Sequence, residues 1–255
     1  MPSDCKADCS AGIEKILNLQ NENHKNDIEI SNKSILVKLF LRRGVVNTQL
    51  GLFSESLSDY ESALNYFNTF KSQSAEHQSF LESTISQNDI ISDIDRLKLI
   101  VSAEGLKKQA DELFCEKKID EAILKYSEAL DCVSCHVSCL SNRSACYFAI
   151  GNFEACIQDC TLAINLLEIK NNSQLTIQDK QSHLTMMKAV LPEIGSEKRK
   201  SWILKTFTRR GAAYIQLKDI DKAINDYGQA VSIDNENEAL KSDLNKLNSM
   251  KISLK

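Results

Sequence analysis

At 255 residues the chain is long enough to bury one large or two small cores, and only 8 glycines and 2 prolines interrupt it, which favours long helices over a turn-rich β fold. A formal net charge of −4 argues against nucleic-acid binding, and no run approaches the roughly 20 apolar residues that span a membrane. The N-terminal MPSDCKADCSAGIEK lacks the apolar core of a signal peptide, so the nine cysteines read as reduced thiols, most of them small hydrophobes at helix interfaces, in a soluble cytoplasmic protein.

In chain order, residues 4–19 (DCKADCSAGIEKILNL) predict one amphipathic helix. Its D-C-S-x-x-I, Asp8 to Ile13, matches D-C-T-x-x-I, Asp159 to Ile164. That match predicts a chain that opens inside the second helix of a repeat, with residues 1–33 poorly ordered or in search of a partner to cover the open apolar face. Residues 20–33 read as polar loop, helices follow at about 35–50 and 53–67, and the Ser/Gln-rich 68–87 reads as a mobile loop. Ile90, Ile94, Leu97 and Ile100 then carry a helical stripe that predicts one long helix over about 89–116.

Small and aromatic anchors recur beyond it. Ala110, Leu113, Ala122, Tyr126 and Ala129 are each followed 34 residues later by Ser144, Tyr147, Cys156, Cys160 and Ala163. The next set, Gly211, Tyr214, Ala223, Tyr227 and Ala230, comes 67 residues on, one period plus an insertion of 33 at about 168–200. Helices are expected at 198–217, 220–232 and 235–250, the last a capping helix, with Trp202 anchoring the third pair against the insertion. Lys38, Arg42, Gly44, Tyr60 and Ala63 repeat Lys205, Arg209, Gly211, Tyr227 and Ala230 at an offset of 167. The chain therefore divides into a truncated module at 1–100 and a complete three-repeat module at 101–255.

A period of 34 with such anchors resembles the tetratricopeptide repeat, most clearly in LKKQADELF…AILKYSEAL, CLSNRSACYFAIGNFEACIQDCTLAI and RRGAAYIQLKDIDKAINDYGQAV. The resemblance implies an all-α, right-handed superhelix whose first helices line a groove. It extends to co-chaperone modules of the carboxylate-clamp type, which hold the C-terminal Glu-Glu-Val-Asp of the 70- and 90-kilodalton heat-shock chaperones. By that resemblance Lys107, Asn142 (within Ser141-Asn142-Arg143-Ser144), Lys205 and Arg209 are clamp residues, and Asp111 stands where the family has Asn. The insertion, the RRGxAxxQL string and the closing helix resemble the axonemal dynein assembly factors of the dyslexia-susceptibility family, which implies dynein-arm preassembly clients. These 255 residues hold no counterpart of the family's p23-like domain, and tandem-clamp proteins of the sperm-associated-antigen and RNA-polymerase-associated kinds are the alternative. A structural scaffold without tail binding is the other reading.

The residue types fit the chemistry. Lys205 and Arg209, four apart, share a helix face; Arg takes a carboxylate bidentately, Lys acts as a mobile charge, and an Asn amide donates without adding charge. Asp111 sets a negative charge beside an anionic ligand and pairs with Lys107 one turn earlier, which predicts a weakened or altered clamp. Lys38 and Arg42 repeat the last two positions as a possible partial clamp that cannot close on a peptide by itself. Cys132-Val-Ser-Cys135-His136 with Cys139 nearby has the letters of a haem or zinc site, but it falls on an inter-helix turn and reads as inert turn and core thiols. No cofactor, metal or catalytic constellation is expected, and the chain does not read as an enzyme.

Overall fold

A computed structural model describes residues 2–22, 26–71, 85–168 and 190–253. Among them there are ten α-helices and no strand: α1 (Pro2–Glu22), α2 (Asn26–Gln49), α3 (Phe53–Lys71), α4 (Gln87–Cys115), α5 (Ile119–Cys132), α6 (Val137–Ala149), α7 (Phe153–Leu167), α8 (Glu197–Gln216), α9 (Ile220–Ile233) and α10 (Glu238–Ser253). The fold is an all-α helix-turn-helix solenoid. It forms two compact units, Met1–Val101 and Ser102–Lys255.

Four of the tight turns reverse the chain through a residue in the left-handed region: Gly51 (φ 75°), Lys117 (φ 63°), Gly151 (φ 78°) and Lys218 (φ 61°). Glycine accepts this geometry at no steric cost, whereas the two lysines carry strain. Side chains start two of the helices that follow: Asn152 accepts from the Ala155 amide at 3.2 Å, and Asp219 from the Lys222 amide at 3.3 Å. Ser196 caps α8 in the same way, accepting from Arg199 N at 3.2 Å.

Within a pair, the helices cross where one side chain is missing. A Cβ on Gly44 would lie 2.7 Å from the Tyr60 ring, and one on Gly211 2.9 Å from the Tyr227 ring. In the pair between them Ser144 takes the glycine's place, and the smaller Cys160 takes that of the tyrosine. Each crossing is locked by an arginine and an aspartate 16 residues later. Arg43 meets Asp59 at 2.6 Å, Arg143 meets Asp159 at 2.8 Å, and Arg210 meets Asp226 at 2.8 Å. The same guanidinium reaches back to a hydroxyl on the helix just before its own: Ser10 (3.1 Å), Ser127 (2.8 Å) and Thr161 (3.0 Å) respectively. The spacing of 16 was present in the sequence three times and is the signal that the periodicity argument missed.

Ser10 therefore holds the register of Thr161, as the Asp8–Ile13 and Asp159–Ile164 strings predict. The expectation for residues 1–33 falls partly outside the described residues, and within them α1 is a formed helix packed on α2. Cys9 and Ile13 of α1 are buried, Ile13 in one core with Leu36, Val37 and Phe40 of α2, and Gly12 lets Leu39 approach closely. The predicted loop at 20–33 is corrected, because α2 begins at Asn26. The mobile loop expected at 68–87 falls largely on residues 72–84, and the insertion at 168–200 largely on 169–189, both outside the described residues. The long helix expected at 89–116 is α4, and its first half packs Ile90, Ile94 and Leu97 into the core of the first unit. In the second unit, Cys156, Cys160 and Ala213 form one apolar cluster, and Ile164, Phe207 and Ala230 form the next. Arg199 ties the end of α7 to the start of α8, donating to the carbonyls of Leu167 (2.9 Å) and Pro192 (2.8 Å). Trp202 is half-buried with the Lys198 ammonium 5.3 Å over its ring.

Candidate functional site

The second unit joins Lys107, Asp111 and Asn142 in one network of side chains, and on the other side of α6 sets Arg209 against Ser141 and Ser144, with Lys205 beside it. Lys107 and Asp111 lie one turn apart on α4, and Lys107 Nζ meets Asp111 Oδ2 at 2.6 Å. The other carboxylate oxygen accepts from two neighbouring helices: Asn142 Nδ2 of α6 at 2.9 Å, and the Tyr126 hydroxyl of α5. Burial alone would raise the Asp111 carboxyl, but the bonds from Lys107 and Tyr126 hold it below the usual value. For Lys107 burial works downward and is outweighed by the Asp111 carboxylate, so the ammonium is held above its usual value.

A second carboxylate flanks the same lysine. Glu104, one turn before Lys107, lies 3.1 Å from Nε2 of His136, whose Nδ1 is 3.0 Å from the Ser138 hydroxyl. The bond from His136 holds the Glu104 carboxyl below its usual value, against the upward push of burial. Glu104, Tyr126 and His136 were not foreseen as part of the site. The anchor spacing pointed to Tyr126 only as a packing residue.

On the other side of α6 stands α8. Arg209 donates to the Ser141 carbonyl at 2.6 Å and lies 3.1 Å from the hydroxyls of both Ser141 and Ser144. Its partners are thus neutral oxygens, and its charge is not cancelled by them. Lys205, one turn earlier, is exposed and has no ion pair among the described residues. The two cations border a shallow cleft of about 320 Å³ lined by Ala145, Phe148, Lys205, Thr208, Arg209 and Ala212. Small residues on both helices leave this space open, and Phe148 gives it an apolar wall. Lys38 and Arg42 lie exposed on α2, in the first unit.

The cysteine motif is taken up by packing. Cys135 and Cys139 are buried, and burial pushes their thiols up to about 11 and about 12. His136 is turned to Glu104 and Ser138. Among the described residues no group of three or more His, Cys, Asp or Glu is arranged to hold a metal ion, and no helix is long and apolar enough to cross a membrane.

Residues 204–237, which hold most of α8 and all of α9, match the tetratricopeptide repeat family, and the all-helical fold is consistent with a tetratricopeptide-repeat solenoid. Over 124 residues the chain is 32% identical to human Sperm-associated antigen 1, a match that covers 46% of this chain and 11% of that protein. Over 68 residues it is 37% identical to the Saccharomyces cerevisiae Hsp70/Hsp90 co-chaperone CNS1, covering 25% of this chain and 18% of that one. Among solved structures it is similar to the first repeat domain of Spaghetti (RPAP3) bound to the HSP90 peptide SRMEEVD, at 23% identity and a TM-score of 0.44, over 60% of this chain and 95% of that one. The chain thus spans only a small part of the curated relatives it matches.

Proposed function

We propose that the chain is a tetratricopeptide-repeat adaptor of the co-chaperone kind, which holds the acidic C-terminal tail of the 90- and 70-kilodalton heat-shock chaperones against α6 and α8. The observation that carries this reading is the cleft between those helices, bordered by the Lys205 ammonium and by the Arg209 guanidinium, whose partners among the described residues are uncharged. A carboxylate loses its water only to donors of this kind, and an apolar wall such as Phe148 suits a Val side chain beside it. The likeness to a yeast Hsp70/Hsp90 co-chaperone supports the choice of partner. Lys107, Asp111 and Asn142 form the α4 side of the same site. Lys38 and Arg42 form a partial clamp that takes no peptide alone. The resemblance to dynein assembly factors makes preassembly of axonemal dynein arms, in the cytoplasm, the client pathway, and nothing in the site suits a nucleic acid or a catalytic role.

Calorimetric titration with a short peptide ending in Glu-Glu-Val-Asp tests the reading. Each charge-assisted bond contributes about 1.5–3 kcal/mol, so Lys205→Ala is expected to weaken binding by roughly ten- to a hundredfold. Binding that is unchanged in Lys205→Ala, or absent from the wild type, would move the function to a scaffold that assembles partners without reading an acidic tail.

A further inference from the structure

A peptide ending in Asp presents two carboxylates, and a groove that reads both needs two sets of open donors. The α8 side has one, in the exposed Lys205 and the Arg209 guanidinium. On the α4 side the donors are already engaged. Asp111 receives Lys107 at 2.6 Å, Asn142 at 2.9 Å and the Tyr126 hydroxyl, so three helices converge on a carboxylate that the chain supplies itself. Glu104 adds a second negative charge against the same lysine. An incoming carboxylate there would have to displace Asp111 and meet a like charge, whereas one placed over Lys205 and Arg209 meets two cations.

We propose that Asp111 is a built-in occupant of the α4 carboxylate position. The groove then selects an acidic segment by a side-chain carboxylate at Lys205 and Arg209 and does not read a free chain terminus. The proposal rests on the acidic-peptide reading above and narrows its ligand class. Internal acidic segments, or tails whose end is blocked, bind as well as free tails do. Asp111 is the specificity-determining residue, because an amide in its place would return Lys107, Asn142 and Tyr126 to the ligand.

The experiment titrates the whole chain with a peptide ending in Glu-Glu-Val-Asp as the free acid and as its C-terminal amide, in the wild type and in Asp111→Asn. The expected result is that acid and amide bind the wild type within about threefold of each other, while Asp111→Asn prefers the acid by at least about tenfold. If the wild type prefers the acid tenfold or more, this proposal is overturned and the acidic-peptide reading stands. If neither protein binds either peptide, the acidic-peptide reading falls and takes this one with it. The wild-type comparison needs no variant to fold.

Discussion

Asp111 shows how one carboxylate can connect three helices. Its partners come from α4, α5 and α6, and its carboxyl is held below the usual value. A depressed carboxyl contributes stability that is present above its unfolded value of 3.8 and is lost as the pH falls through its folded value. Because the Lys107–Asp111 pair is partly exposed, Asp111→Asn is expected to cost less than about 1 kcal/mol at neutral pH. That gap should close in acid, which urea midpoints of both proteins between pH 7 and pH 2.5 will show. A gap that does not narrow as the pH falls would mean Asp111 acts through packing instead of charge.

The thiols titrate in the opposite sense. Cys135 and Cys139 are raised from 9.0 to about 11 and about 12, so the folded chain keeps protons that the unfolded chain loses. Their contribution is complete below pH 9 and is lost as the pH rises through that window. Stability should therefore fall between pH 9 and pH 11 in a Cys135→Ala-sensitive way, read by chemical unfolding. At pH 8 a thiol reagent should modify the exposed Cys115 first, and the buried Cys135, Cys139, Cys146, Cys156 and Cys160 only on unfolding.

At the level of helices, the repeat works through a matched pair of features. A small residue on the first helix accepts the ring of the second, and an arginine next to it pins the aspartate 16 residues on. Arg210 and Asp226 are both largely buried, so Asp226→Ala leaves a guanidinium without its counter-charge and is expected to cost about 3–5 kcal/mol in equilibrium unfolding. Gly211→Ala places a methyl group 2.9 Å from the Tyr227 ring and should cost about 1–3 kcal/mol. A cost near zero would mean that the Tyr227 ring shifts freely. Lys218, at φ 61°, offers the reverse change: Lys218→Gly removes left-handed strain and should stabilise by up to about 1 kcal/mol.

For the whole molecule, the division into Met1–Val101 and Ser102–Lys255 places every residue of the proposed groove in the second unit. A fragment of residues 87–255, which keeps α4 entire, is expected to bind the acidic peptide with the affinity of the full chain. A tenfold loss would show that the first unit contributes to the groove.

The sequence alone determined the helical class, the 34-residue period, the 167-residue offset and most of the helix positions. These depend on apolar spacing and small-residue anchors, which are local and recur along the chain. The resemblance to clamp modules pointed to Lys107, Asn142, Lys205 and Arg209 as groove residues. Only the tertiary structure decided what those side chains do. Asp111 gathers Lys107, Asn142 and Tyr126, and Arg209 turns to the oxygens of Ser141 and Ser144, because those contacts join residues up to 68 apart in the chain. Lys205 and Arg209 look alike in a sequence, since helical periodicity assigns each side chain a face. Whether a charge on that face is already satisfied depends on which partner the neighbouring helices bring within hydrogen-bond reach.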